Sequence, residues 1–250
     1  MNENTRWKLI AAIVLVTLSI ILYSAHFLIF QDSHHLFIYF VGDLAFIPIE
    51  VLVVTLIIDS MLESREKKRR MEKLNMVIGT FFSLLGTPLL AMLAKADPDV
   101  HSLSGQLVVK DGWKAEDFLK VQSWVKSHPF TIKIEQLDLV SLRHFLCEKD
   151  ELLLRLVENP MIFEHESFTG LLLAVNHLSE ELKARAGLTS LPHTDQLHLQ
   201  LDIRRVYTLL IPEWIRYMEY LRNNYPYLFS LAMRTNPFDD AASVVILQKS

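Results

Sequence analysis

The sequence predicts a mostly α-helical chain: an N-terminal hairpin of two transmembrane helices, a long juxtamembrane helix, and a cytoplasmic helical bundle. Three observations predict it. Two apolar runs, the first without a charged residue, stand near the N-terminus, a dense basic run follows the second, and the remainder carries helical apolar spacing punctuated by Pro, Gly and Asn-Pro pairs. The organisation expected is a transmembrane hairpin at 1–58, a charged then apolar juxtamembrane helix at 59–95, and a helical domain at 96–250. The 250 residues have 51% hydrophobic content and a mean hydropathy of +0.24, high for a soluble protein, with the excess concentrated near the N-terminus.

The first expected span is Leu9 to Phe30, 22 residues without Asp, Glu, Lys or Arg. At 1.5 Å rise per residue it crosses a hydrocarbon core of about 30 Å. No small-x-small cleavage site follows it, so it reads as retained and not as a signal peptide. The second span is Leu36 to Ile58, and the short link Gln31 to His35 allows only an antiparallel return. Orientation follows from basic residues. The link has none, whereas Arg6 and Lys8 precede the first span and Arg65, Lys67, Lys68, Arg69, Arg70 and Lys73 follow the second. Lys and Arg are retained inside, which predicts a multi-pass protein of the cell membrane with both termini cytoplasmic. The same run is a candidate contact for anionic lipid headgroups, each basic residue contributing about 1 kcal/mol near such a surface.

A third apolar stretch, 74–94, is long enough to span. Its Gly79, Thr80, Ser83, Gly86, Thr87 and Pro88 interrupt it at roughly helical spacing, opposite Leu74, Ile78, Phe81 and Leu85. It therefore reads as a helix packed in the soluble domain or in an oligomer. Between it and the second span no Gly or Pro occurs from Ile49 to Ile78, and Glu63 with Lys67 and Glu66 with Arg70 have the i,i+4 spacing of an exposed helix. One continuous helix is expected there.

Beyond Ala96 the expectations are a short strand at Gln106–Lys110, a helix from Trp113 to Ser127 capped by Asp111, and an extended piece at Phe130–Ile134. A long helix is expected at Leu137–Glu158 and others at His165–Ala186, Pro192–Asn223 and Pro226–Arg234. Pro212 is expected to kink or divide the third of these. The pairs Asn159-Pro160 and Asn236-Pro237 read as helix stops.

The segments LAFIPIE (44–50), EKLNMVIGTFFS (72–83), HESFT (165–169) and YPYLFSLAMRTNPFD (225–239) resemble those of an uncharacterised family of bacterial and archaeal two-span membrane proteins. The resemblance implies two spans and not three. It implies no activity.

Within the second span Asp43 and Glu50 stand seven residues apart on one helix face. A carboxylate near mid-bilayer costs roughly 2.5–3.5 kcal/mol on insertion scales, so each needs a partner in protein or water. Antiparallel pairing puts Asp43 near Tyr23, with His26 a turn away. Pro48 adds a carbonyl, that of Leu44, which receives no helical N–H. Two readings stand: polar glue between helices, or acidic rings lining an ion pathway in an oligomer.

Three His-acid pairs have i,i+4 spacing: His144 with Glu148, His177 with Glu181, and His198 with Asp202. Glu-x-x-His, the signature of di-iron bundles, is absent, and such pairs are common on wet helix faces, so no metal site and no cofactor is expected. Cys147 is the lone cysteine, which excludes an intrachain disulfide and multi-cysteine metal sites. No Walker A, G-x-G-x-x-G, H-E-x-x-H or G-x-S-x-G pattern occurs, and the net charge of −4 with Glu63, Glu66 and Glu72 inside the basic run argues against nucleic acid. The function expected is a non-enzymatic integral membrane protein that self-associates as a homo-oligomer and presents its domain to a cytoplasmic protein partner. The alternative is an oligomeric ion channel or proton-coupled transport component with Asp43 and Glu50 lining the path.

Overall fold

A computed structural model describes residues 3–245. They are mostly helical, with no strand among the described residues. The chain separates into two compact units, 1–67 and 68–250.

In the first unit, α1 (Glu3–Phe30) and the start of α2 (Ser33–Phe81) are joined by only two residues. Gln31 adopts a left-handed conformation (φ 50°) that ends α1. Asp32 then caps α2, its Oδ1 accepting from the His34 and His35 amides at 2.9 and 3.1 Å. Those two hydrogen bonds, the one from His35 first, hold the Asp32 carboxyl below its ordinary range. Both helices are long and apolar enough to cross a membrane by length and composition. The side chains of the most apolar windows are entirely unburied. The helix α2 runs unbroken past Pro48 and through the charged segment.

The second unit has a continuous apolar core. The third apolar stretch belongs to it: Leu74, Ile78, Phe81, Phe82, Leu85, Leu89, Leu90 and Leu93 are all buried there. Pro88 shapes this region. Lacking an N–H and crowding the carbonyl four residues back, it cannot continue a regular ladder. The chain widens into a π turn at Phe82–Gly86, in which the Thr87 N–H reaches the Phe82 carbonyl, and then resumes as α3 (Thr87–Ala94). The turn brings Phe82 flat against Tyr217 (centroids 4.8 Å apart, planes at 11°) and Phe81 edge-on to Phe168 at 5.1 Å. A Cβ on Gly86 would lie 2.6 Å from Phe81 and 2.7 Å from Phe82, so no larger residue fits without displacing an aromatic ring. Gly79 faces Tyr217. Two of the small residues read as the face opposite Leu74, Ile78, Phe81 and Leu85 thus meet aromatic rings of the domain, as a helix packed in it requires.

The segment expected to hold a strand, Gln106–Lys110, instead completes α4 (Val100–Leu107) and continues as irregular chain. With no neighbouring strand, a lone β run has no ladder to join. The next helix, α5 (Ala115–Ser127), starts later than expected. Its start is fixed by Asp117, which accepts from the Lys114 amide at 2.8 Å, while Asp111 lies upstream in a turn. The expected single helix at 137–158 is two: α6 (Leu139–Glu148), capped by Asp138, and α7 (Asp150–Val157), broken at Lys149. The break turns Asp150 toward α8 (Glu166–Ala184), where it meets Ser179 at 3.3 Å and Lys183 at 2.5 Å. The cap of α8 is His165, whose Nδ1 accepts from the Phe168 amide at 3.2 Å.

The organising element is α9 (His193–Asn224), 32 residues long and not divided at Pro212. Its Leu199, Ile203, Val206, Tyr207, Leu210, Ile211, Trp214, Ile215 and Met218 are fully or almost fully buried, and it packs against α3, α5, α8 and α10 (Pro226–Arg234). Asn236, read as a helix stop, does more. It is buried, its amide donates to the Leu107 carbonyl at 3.1 Å, and its Oδ1 accepts from the Phe238 amide at 2.9 Å, clasping the C-terminal segment to α4.

Candidate functional site

In the N-terminal unit, the Tyr23 hydroxyl on α1 donates to Asp43 Oδ2 on α2 at 3.0 Å. His26 lies close by, its ring 6.4 Å from that of Tyr39. Together with Leu22 and Leu36 these residues line an open cleft of about 360 Å³. His26 Nδ1 is buried and has no hydrogen-bond partner. Asp43, Tyr23 and His26 are therefore brought together, and Asp43 is satisfied within its own chain. Glu50 is not part of this group. It is exposed on α2, two residues after Pro48, and has no hydrogen bond or ion pair among the described residues.

The basic run is exposed throughout from Arg65 to Lys73. Within the second unit Arg70 lies 3.3 Å from Glu164, which anchors the end of the run to the domain. The side chains of Lys67, Lys68, Arg69 and Lys73 also face solvent.

A second constellation lies between α8 and α9. On α8, His177 and Glu181 are one turn apart; on α9, so are His198 and Asp202. The helices face each other so that the two pairs meet. His198 Nε2 is 3.3 Å from Asp202 Oδ2 and 3.5 Å from Glu181 Oε2. His177 Nε2 is 3.5 Å from the same Asp202 oxygen and 3.9 Å from Glu181 Oε1. Asp202 is nearly inaccessible, with 4% of its side chain exposed, and its Oδ2 has no hydrogen-bond partner. Its other oxygen accepts from Arg205 at 2.8 Å.

Arginines hold the acids in place. Arg185 forks onto both oxygens of Asp195, at 2.8 and 2.7 Å, and donates to Glu181 Oε2 at 2.7 Å. Those hydrogen bonds keep the Glu181 and Asp195 carboxyls below their ordinary range and raise the guanidinium. The third pair of the same spacing, His144 with Glu148 on α6, meets at 3.1 Å on an exposed surface and faces neither of the others.

All three pairs are visible in the sequence. Taken singly, each looks like a wet helix face. What spacing alone does not show is that the short link after α8 returns the chain so that two of them converge.

Another buried polar pair sits beneath the start of α4. Burial, opposed by a 2.9 Å hydrogen bond from the Asp99 amide, raises the Asp97 carboxyl, and burial beside Asp97 raises the Tyr207 phenol.

Comparison with known proteins locates the chain. Residues 2–62 match the N-terminal helical domain of MJ1433, and residues 70–234 match the C-terminal helical domain of the uncharacterized protein MJ1433. The boundary between those matches falls where the structure divides. The chain is 46% identical over 245 residues to the uncharacterized protein MJ1433 of Methanocaldococcus jannaschii, covering 98% of each. No solved structure matches it. With both helical domains matched along nearly its whole length, the chain belongs to the MJ1433 family.

Proposed function

We propose that this chain is a membrane-anchored, non-enzymatic protein whose N-terminal hairpin crosses the bilayer twice and holds the C-terminal domain on the cytoplasmic side, for a cytoplasmic partner. The observation that carries this reading is the contrast in burial. Most apolar side chains of 9–30 and 36–58 are exposed and need a hydrocarbon solvent, whereas most of those in 74–94, Met76 and Leu84 excepted, are covered by their own domain. The exposed basic run supports the orientation and supplies the contact with anionic headgroups.

Cys147, free and exposed, is a built-in reporter of sidedness. In intact cells a membrane-impermeant maleimide leaves it unlabelled, and permeabilisation exposes it. In a Cys147→Ser background, Ser33→Cys in the link labels from outside. Labelling of Cys147 in intact cells overturns the orientation.

A second reading, an oligomeric channel or proton-coupled transport component, rests on Glu50. Exposed on the second helix and without a partner among the described residues, it calls for one in a second copy or in a hydrated path. The Tyr23–Asp43 hydrogen bond favours the anchor over the channel, since it satisfies one acid within the monomer. Reconstituted ion flux that vanishes in Glu50→Gln supports the channel. Self-association lost in that variant, without flux in the native protein, supports the anchor.

A further inference from the structure

The convergence of two His-acid pairs between α8 and α9 points beyond anchoring. We propose that Glu181, His198 and Asp202, with His177 as a fourth donor at the edge, form a binding site for a divalent transition-metal cation, of which zinc is the best match. The site gives the C-terminal domain a metal ion as an input or a structural clamp.

Four features carry the proposal. The donors are two imidazole nitrogens and two carboxylate oxygens, a set that suits borderline cations such as zinc. One donor atom from each of Glu181, His198 and Asp202 lies within 4.8 Å of the other two. The spacings match a coordination shell better than a hydrogen-bonded network. Bonds of about 2.0–2.2 Å in a tetrahedron put neighbouring donors about 3.3–3.6 Å apart; His198 meets Asp202 at 3.3 Å and Glu181 at 3.5 Å, and His177 meets Asp202 at 3.5 Å but Glu181 only at 3.9 Å. Hydrogen bonds between these groups would be closer, about 2.7–3.2 Å.

The fourth feature is the state of Asp202. A buried carboxylate oxygen with no hydrogen bond is costly, yet Oδ2 has none among the described residues while two histidine nitrogens lie 3.3 and 3.5 Å from it. A cation between them satisfies it. The surrounding contacts resemble a second layer of support. Arg205 holds the other Asp202 oxygen, and Arg185, itself clamped by Asp195, holds Glu181 while leaving that oxygen's second lone pair available. The ligands come from two helices already packed by Leu178, Leu182, Leu199 and Ile203, so the site is positioned by the core and not by a loop.

The test uses full-length protein in detergent, with any affinity tag removed and dialysed free of metal, and zinc ion as the probe. Titration calorimetry on the native chain should show one tight site per chain, and zinc should raise the melting temperature of the C-terminal domain. His198→Ala and Asp202→Asn should each weaken binding at least ten-fold and remove the thermal shift. His144→Ala, which breaks the exposed pair of the same spacing, should change neither.

Cobalt(II) on the native chain gives a readout independent of any variant's folding. Intense visible bands of a four-coordinate ion support the site, and only the weak bands of a hexa-aqua-like ion overturn it. The proposal also falls if no stoichiometric zinc binds. It falls too if binding survives His198→Ala and Asp202→Asn but is lost when His34 and His35 are replaced, which would locate it in the link between the spans.

Discussion

Two apolar stretches of this chain have similar length and opposite fates. The run at 36–58 leaves its side chains unburied, and the run at 74–94 forms the heart of a folded domain. Total hydrophobicity does not separate them. What their small residues meet does: Gly79 and Gly86 of the second sit against aromatic rings of the domain, whereas Gly42 of the first has nothing within 4 Å.

The comparison can be broken most sharply by truncation. Phe82→Ala should cost the C-terminal domain about 3–5 kcal/mol, because a fully buried ring stacked on Tyr217 is lost. Leu52→Ala, on an exposed face of α2, should leave thermal unfolding of that domain unchanged. Equal effects would contradict the division into units. Next comes addition. Gly86→Ala forces a methyl against two rings and should cost about 1–3 kcal/mol, whereas Gly42→Ala, with nothing within 4 Å, should be silent in the same melt.

Acid sharpens the contrast from another side. The Glu181 and Asp195 carboxyls are depressed by Arg185, so the stability they contribute is present above the usual carboxylate range and is lost as pH falls through their folded values. Melting of the C-terminal domain should therefore weaken below about pH 4, and Asp195→Asn should flatten that limb. Asp97 has the opposite sign: its raised carboxyl makes it a burden as pH rises, so Asp97→Asn should stabilise the domain at neutral pH and do little in acid. The smallest effect belongs to the N-terminal unit. A double-mutant cycle of Tyr23→Phe and Asp43→Asn should return roughly 0.6 kcal/mol of coupling in lipid, and a value near zero would remove the hydrogen bond as a link between α1 and α2.

Much of this architecture was legible from pattern. Helix existence followed from apolar spacing and breakers, and the pairing of Tyr23 with Asp43 followed from counting outward from a short link. The misreadings share a cause. The break at Lys149, the continuity through Pro212 and the absence of a strand at 106–110 depend on what each segment packs against, and local signals do not report that. Asn236 looked like punctuation because its partner, the Leu107 carbonyl, is 129 residues away. The α8–α9 cluster escaped for the same reason: its chemistry is local, its assembly is not.

The widened turn at Phe82–Gly86 has a consequence for phase. A π turn accommodates one extra residue, about 100° of rotation at 3.6 residues per turn. Leu74, Ile78, Phe81 and Leu85 define one line along the helix, and on a regular continuation Leu90 and Leu93 would drift away from it. The extra residue rotates the helix back, so Leu93 regains that line and Leu89 and Leu90 flank it, and all three are buried. The turn works as a vernier: one residue of slack keeps the buried side of the helix in the same angular setting before and after it.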